Sequence, residues 1–297
     1  MNSPILIAVF ILLLLFSAAF IGMLMLWFKF RKLYSMVCDL KKSTFDSIDQ
    51  LRLRIIQEKN KSKQSIQQTS AKPLKFTSQF AEETIIFDIL EGIDAGVFVE
   101  AGAYDGMNLS TTYALEQAGW RGLLIEPNEK NANLCRERRL NSKVENCALG
   151  NMEATGFIEF TLAESEEGSP LSYVGSDQKH IERCKQADCR ISTHKVVFTN
   201  LSSLLDKNGF ERVDFLSLDV EGMELDVLRG FEIHKFKPRL AMIELQFDHR
   251  DEAVTRYMKE NGYTPIAKKE CNLFFVPSEL EQELKNKLFP YDIPELI

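Results

Sequence analysis

Four acidic side chains stand at the ends of apolar runs: Glu100 after VFV, Glu126 after GLLI, Asp219 after FLSL and Glu244 after AMI. Runs of this kind are buried strands, and open α/β sheets bind ligands beyond the carboxyl ends of their strands. The first run leads into a tight turn, Gly102-Ala103-Tyr104-Asp105-Gly106. Two glycines let backbone approach a ligand with no Cβ in the way. Glu126 follows Gly102 by 24 residues. At the tip of the next strand, a carboxylate accepts hydrogen bonds from both hydroxyls of a ribose. The pattern therefore predicts a site for a nucleotide-type cofactor. A dinucleotide oxidoreductase fits poorly, because Asn108-Leu109 stand where a third glycine is wanted.

The elements that must position these groups alternate in period. Strands are expected at Val97–Ala101, Gly122–Ile125, Val144–Leu149, Val213–Leu218 and Leu240–Leu245. Helices are expected at 79–91, with Phe80, Thr84, Phe87 and Leu90 on one face, and at Leu109–Gly119, Asn128–Leu140, Leu201–Asn208, Glu224–Gly230 and Val254–Asn261. Gly156–Leu162 and His194–Thr199 read as a strand pair around a polar insert, ESEEGSPLSYVGSDQKH, that fits an acceptor lid or a plain loop. Tyr263–Ala267 and Asn272–Val276 read as an antiparallel pair. The fold class is α/β, a Rossmann-like parallel sheet.

Charge is divided unevenly over the 297 residues. Residues 1–28 carry no charged side chain, residues 29–72 are net +7, and the remainder is net −14. An acidic catalytic region argues against a nucleic-acid partner. The six cysteines do not suggest a disulfide framework, and Cys184 and Cys189 are an incidental CX4C.

Ile5 to Phe28 is 24 residues without a charge. As a helix it spans roughly 36 Å, more than a bilayer core of about 30 Å. The run is too long for a signal peptide and lacks a basic leader. A single-pass anchor in the lipid bilayer is expected. Lys29, Arg31, Lys32, Lys41 and Lys42 follow it, which puts the bulk of the chain in the cytosol. Sequons at Asn60, Asn108 and Asn200 point weakly the other way. The domains then run 1–28 anchor, 29–72 basic stem, 73–280 catalytic domain and 281–297 tail. The stem is read as a short helix followed by a flexible tether through KNKSKQSIQQTSAKP.

VEAGAYDG (99–106), LLIEPN (123–128), CALGN (147–151), VDFLSLDVEGMELDVLRGF (213–231) and IEL (243–245) occur in one order. With them the chain resembles the FkbM-type methyltransferases, over residues 97 to about 276. The resemblance implies a seven-stranded methyltransferase sheet, S-adenosylmethionine as methyl donor and transfer to a hydroxyl. YDG-NLSTT and GWRGLLIEPN are similar to a membrane-anchored, Star-like branch, described as acting in endomembrane trafficking. That branch implies an alternative, a catalytically weak protein that binds a membrane client. Glu100 and Tyr104 depart from the family's frequent Asp and Asn.

On this resemblance Gly102 to Gly106, with Ala103 and Tyr104, run along the methionine moiety. Glu100 or Asp105 takes the ammonium group, Glu126 the ribose, and Cys147, Ala148 and Leu149 flank the adenine. Asp219 or Glu221 is the base, and Glu244 and His249 contact the acceptor: a small molecule, sugar or lipid. No dedicated metal ligands are assigned, although clustered acids would admit a divalent cation. Glu224 serves the first turn of its helix.

Overall fold

The structure, a computed structural model, describes residues 4–66, 73–164, 173–174, 190–245 and 249–288. It divides into two compact units, Met1–Arg52 and Leu53–Ile297.

Helix α1 runs without a break from Pro4 to Ile66. Residues 23–72 hold no Gly or Pro and are rich in Leu, Lys, Gln and Ile, which sustain helix. The expected tether is thus helical for its first half. In the larger unit, Leu53 and Ile56 cluster with Leu74, Phe76 and Phe87, so the end of the helix is packed against the domain that follows. Gln57 Oε1 accepts from the Leu74 N–H at 3.0 Å. Among the described residues no helix is long and apolar enough to cross a membrane. The side chains of residues 1–22, on which most of the expected span falls, lie outside that set.

The larger unit is built on a seven-stranded sheet. Its strands are β1 (Val97–Ala101), β2 (Arg121–Ile125), β3 (Lys143–Glu145), β8 (Phe215–Leu218), β9 (Leu240–Glu244), β10 (Tyr263–Lys269) and β11 (Asn272–Pro277). They lie in the order β10-β11-β9-β8-β1-β2-β3, parallel except for β11, which is antiparallel to both its neighbours. Strand order reverses at β1, between β2 and β8, which is where such sheets open a crevice for ligands. The core has two layers, as the side-chain period of two requires. Val97, Val99, Ala101, Leu123, Ile125, Leu216 and Leu218 pack on one face. Phe98, Leu124, Phe215, Leu240, Met242 and Phe274 pack on the other.

The run 144–149, expected as one strand, is split. β3 pairs with β2, whereas β4 (Ala148–Gly150) joins a second sheet, parallel to β7 (Arg190–Asn200). β7 is antiparallel to β5 (Phe157–Glu164), and β6 (Tyr173–Val174) from the polar insert adds to β5. The rest of the insert, Cys184, Cys189 and His180 lie outside the described residues. The expected helix over 109–119 shortens to α2, Tyr113–Gln117. Leu109 takes a left-handed φ of 64°, and Ser110, Thr111 and Thr112 turn inward to a buried acid. Further helices used below are α3 (Glu129–Arg138), α4 (Leu201–Lys207) and α5 (Glu224–Arg229).

Candidate active site

Register decides which acids meet. Ala101 pairs with Ile125 on one side and Leu218 on the other, and Leu218 pairs with Ile243. One residue further on, Gly102, Glu126, Asp219 and Glu244 therefore stand level at the carboxyl edge. Glu100 lies two residues inside this line, on the same face and roughly 7 Å deeper.

That depth gives Glu100 a structural surrounding. Its oxygens accept from Ser110 Oγ at 2.9 Å, the Thr111 N–H at 3.0 Å and Thr112 Oγ1 at 2.6 Å. Arg139 Nη1 lies 3.3 Å away, while Arg139 Nε donates to Glu116 Oε2 at 2.8 Å. Arg139 is buried, between the rings of Phe98 and Tyr113. Arg139 Nη1 also donates to the Gly106 carbonyl at 3.1 Å, which ties this network to the glycine turn. The Ser-Thr-Thr run and the arginine pair 138–139 are its signals in the sequence. Asp105 is likewise engaged. It accepts from the N–H groups of Met107 and Asn108 and pairs with Arg138 at 2.6 Å. Burial opposes its charge, but Arg138 and these donors outweigh it and hold its carboxyl below the usual range. Both acids expected to take a ligand ammonium, Glu100 and Asp105, are thus engaged by protein groups.

The turn itself is strained. Tyr104 has φ 47° and Gly102 φ 86°. A Cβ on Gly102 would collide with the Asp219 carbonyl oxygen, so this glycine serves contact with the end of β8. A Cβ on Gly106 would meet Cys135 Cα at 3.0 Å and Sγ at 3.1 Å. The Asp219 N–H donates to the Ala101 carbonyl at 3.0 Å, sealing the seam.

Glu126 is buried and holds two backbone donors, the Tyr104 N–H on Oε2 at 2.9 Å and the Asn128 N–H on Oε1 at 2.8 Å. Burial without a cationic partner pushes its carboxyl up to about 8, against those two bonds. Asn146, in the gap between β3 and β4, donates through Nδ2 to the Glu126 and Pro127 carbonyls at 2.8 and 2.9 Å. A cavity of about 370 Å³ opens beside it, lined by Pro127, Asn128, Phe157, Phe160, His194 and Val196, among others. By contrast Cys147, Ala148 and Leu149 are buried, and Cys147 and Leu149 belong to the core. Burial drives the Cys147 thiol up to about 12. These three residues, expected to flank an adenine, have their side chains packed inside the protein.

Asp219 is exposed at the carboxyl edge of the sheet. Crowding by surrounding protein atoms and then by Glu244, Glu221 and Glu224 raises its carboxyl. Its exposure tempers the first of these effects, so the neighbouring acids matter most. Glu221 has a left-handed φ of 52°. Glu224 turns back on its own loop, accepting from the Gly222 N–H at 3.0 Å and the Val220 N–H at 3.3 Å, as expected for an acid in the first turn of α5. The side chain of His249 lies outside the described residues, and His234 is exposed. Among the described residues no group of three or more His, Cys, Asp or Glu side chains is arranged to hold a metal ion.

A parallel sheet with this strand order, an antiparallel closing strand and acids along its carboxyl edge defines a methyltransferase of the S-adenosylmethionine-dependent class. Residues 100–265 match the Methyltransferase FkbM domain, more than half of the chain, and the chain belongs to that family. No curated protein sequence matches it. Among solved structures, the METTL16 MTase domain is similar at 14% identity and TM-score 0.37, over 70% of this chain and 68% of that one. The human methyltransferase 10 domain containing protein is similar at 13% identity and TM-score 0.33, over 75% and 96%. A TehB-like SAM-dependent methyltransferase from Corynebacterium glutamicum is similar at 10% identity and TM-score 0.33, over 66% and 84%. The fold assignment rests on strand order, not on these values.

Proposed function

We propose that the protein moves a methyl group from S-adenosylmethionine to a hydroxyl of a small molecule, sugar or lipid presented at a membrane. One observation carries this reading: Glu126, Gly102, Asp219 and Glu244 stand level across the switch point of the sheet. Bound S-adenosylmethionine supplies a methyl on a sulfonium, which needs no further activation. The protein's part is to hold the reacting groups in line and to take a proton. Each oxygen of Glu126 has one lone pair committed to a backbone N–H, leaving one apiece for the two ribose hydroxyls. The cavity between Pro127, Asn146 and Phe160, lined by both apolar and polar side chains, has room for the base. Gly102–Gly106 flank the amino-acid end. The acids at the ends of β8 and β9, Asp219, Glu221 and Glu244, face the acceptor and receive its proton. A divalent cation is not needed in this reading.

The Ile5–Phe28 segment anchors the enzyme as a single-pass protein, with its catalytic domain on the cytosolic side. The basic flank 29–42 supports that orientation. So does the engagement of two sequons: Asn108 Nδ2 donates to Asp105, and the buried Asn200 caps α4 by accepting from the Ser203 N–H at 2.8 Å. An endomembrane location follows from the Star-like features of the sequence.

Calorimetry with S-adenosylmethionine on the full-length protein in detergent tests the reading, with saturable one-site binding expected. A folded protein that gives no heat overturns it and leaves the client-binding alternative. Protease protection on sealed microsomes tests orientation. Digestion of the catalytic domain is expected, and its full resistance would reverse the topology.

A further inference from the structure

Met23, Leu26, Phe30, Leu33, Val37 and Leu40 follow one another along α1 by alternate steps of three and four residues. Each is between 56% and 69% exposed, although all six are large and apolar. They lie in the smaller unit, whose described residues form this one helix. In heptads abcdefg with Phe30 at a, Leu26, Leu33 and Leu40 hold three successive d positions and Val37 an a position. Leu at d with a β-branched residue at a suits a parallel two-stranded coiled coil. Charge keeps off this line: Arg31, Lys32, Asp39, Lys42 and Asp46 fall at b, c and f. The line stops at the next a and d positions, Thr44 and Ser47. Their hydroxyls donate to carbonyls of their own helix, Leu40 at 2.8 Å and Ser43 at 2.9 Å.

An apolar stripe of this length marks a contact surface. With Ile5–Phe28 read as the anchor, helix continuity decides what covers it. α1 has no break from Pro4 to Ile66. At 1.5 Å per residue, Leu40 lies roughly 18 Å along the axis beyond Phe28. One unbroken helix that stands across a bilayer cannot also lie along its surface, so lipid does not reach Leu33, Val37 and Leu40. A second copy does. Held by the same anchor, it arrives parallel and at the same depth, which puts the heptads in register with no further device. In such a pair position 29 opposes 34 and position 36 opposes 41, that is Lys with Tyr and Met with Lys, so like charges are not set against each other.

We propose that two copies of this chain pair through a parallel, in-register coiled coil over residues 23–40. The anchored protein is then a homodimer that carries two catalytic units on one stalk. This rests on the anchor in the reading above and is independent of methyl transfer.

Sedimentation of the full-length protein in detergent should give twice the mass of one chain. Leu33→Asp combined with Leu40→Asp should give a monomer, with the melting temperature of the catalytic unit unchanged. Ser35→Asp combined with Lys42→Asp, both at f, should leave the dimer intact. In microsomes, mild oxidation should link copies of Leu40→Cys about tenfold faster than copies of Lys42→Cys, because opposed d positions bring Cβ atoms together and f positions point apart. A monomeric wild type, equal effects at d and f, or a different protein held on the stripe in place of a second copy would each overturn the pairing. Release of the chain from microsomes by alkaline carbonate would instead strike the anchor.

Discussion

The backbone N–H of Tyr104 donates to Glu126 Oε2 at 2.9 Å, so the glycine turn and the acid at the next strand tip are one unit. Cys135 reinforces it, its Sγ donating to the Tyr104 carbonyl at 3.2 Å from within α3. The left-handed Tyr104 is thus held at both its N–H and its carbonyl, and a ligand that takes Glu126 also takes a stake in the turn.

Glu126→Gln follows from that unit. An amide presents N–H₂ to one of two backbone donors, so affinity for S-adenosylmethionine should fall tenfold or more, about 1.4 kcal/mol, by calorimetry. Stability should respond in the opposite sense. The wild-type carboxyl is raised from 4.5 to about 8, so folding favours its protonated form. This contribution is complete below about pH 4.5 and is lost as pH rises through about 8. The wild type should therefore lose stability relative to Glu126→Gln as the buffer is taken from pH 5 to pH 9. A constant difference across that range would show that Glu126 is already ionised at the low end.

Glu100→Gln should behave as a stability variant. Its oxygens serve Ser110, Thr111, Thr112 and Arg139, and no ligand is assigned to them. The melting temperature should drop while affinity for the methyl donor stays within about threefold. Arg139→Met should be worse, at about 3–5 kcal/mol in urea unfolding, because it leaves both Glu100 and Glu116 buried without a cation. A large loss of affinity in a stably folded Glu100→Gln would return this acid to the ligand.

Two glycines in left-handed conformation separate strain from collision. Gly119 has φ 97° and open space where a Cβ would go, so Gly119→Ala should cost about 1–2 kcal/mol. Gly102 has φ 86° and the Asp219 carbonyl in that space. Gly102→Ala must also part β1 from β8, and should cost at least 2 kcal/mol more than Gly119→Ala. Denaturant midpoints of the two variants check this, and similar losses would mean that the seam yields.

The end of α1 belongs to the catalytic unit. Leu53 and Ile56 cover Leu74, and Lys59 pairs with Glu91 at 2.8 Å. A fragment of residues 53–297 should stay monomeric and melt cooperatively. A fragment of residues 73–297 exposes Leu74, Phe76 and Phe87, and should melt lower and aggregate. Equal melting temperatures for the two would reduce the helix end to a spacer.

Much of this was legible in the chain. Apolar runs ending in acids located β1, β2, β8 and β9 to within a residue or two, and the glycine turn follows β1, where the strand order reverses. Glu224 was read correctly from its place in the first turn of a helix. What escaped were groups that act through partners distant in sequence: Arg139 with Glu100 across 39 residues, and Asn272 with Glu82 across 190. The run 144–149 looked like one strand because apolar Val144 and Cys147–Leu149 bracket only two polar residues. Nothing in it says that Asn146 turns the chain from one sheet to another.

The sequence by itself determined which segments are strands, which side chains share a face, and that four acids end four strands, because these depend only on local period and composition. Only the tertiary structure decided depth. Pairing with β2 and β8 put Glu126, Asp219 and Glu244 at the rim and sank Glu100 two residues inside it. Register between segments far apart in the chain is set by the packing of the whole sheet, and no single strand encodes it.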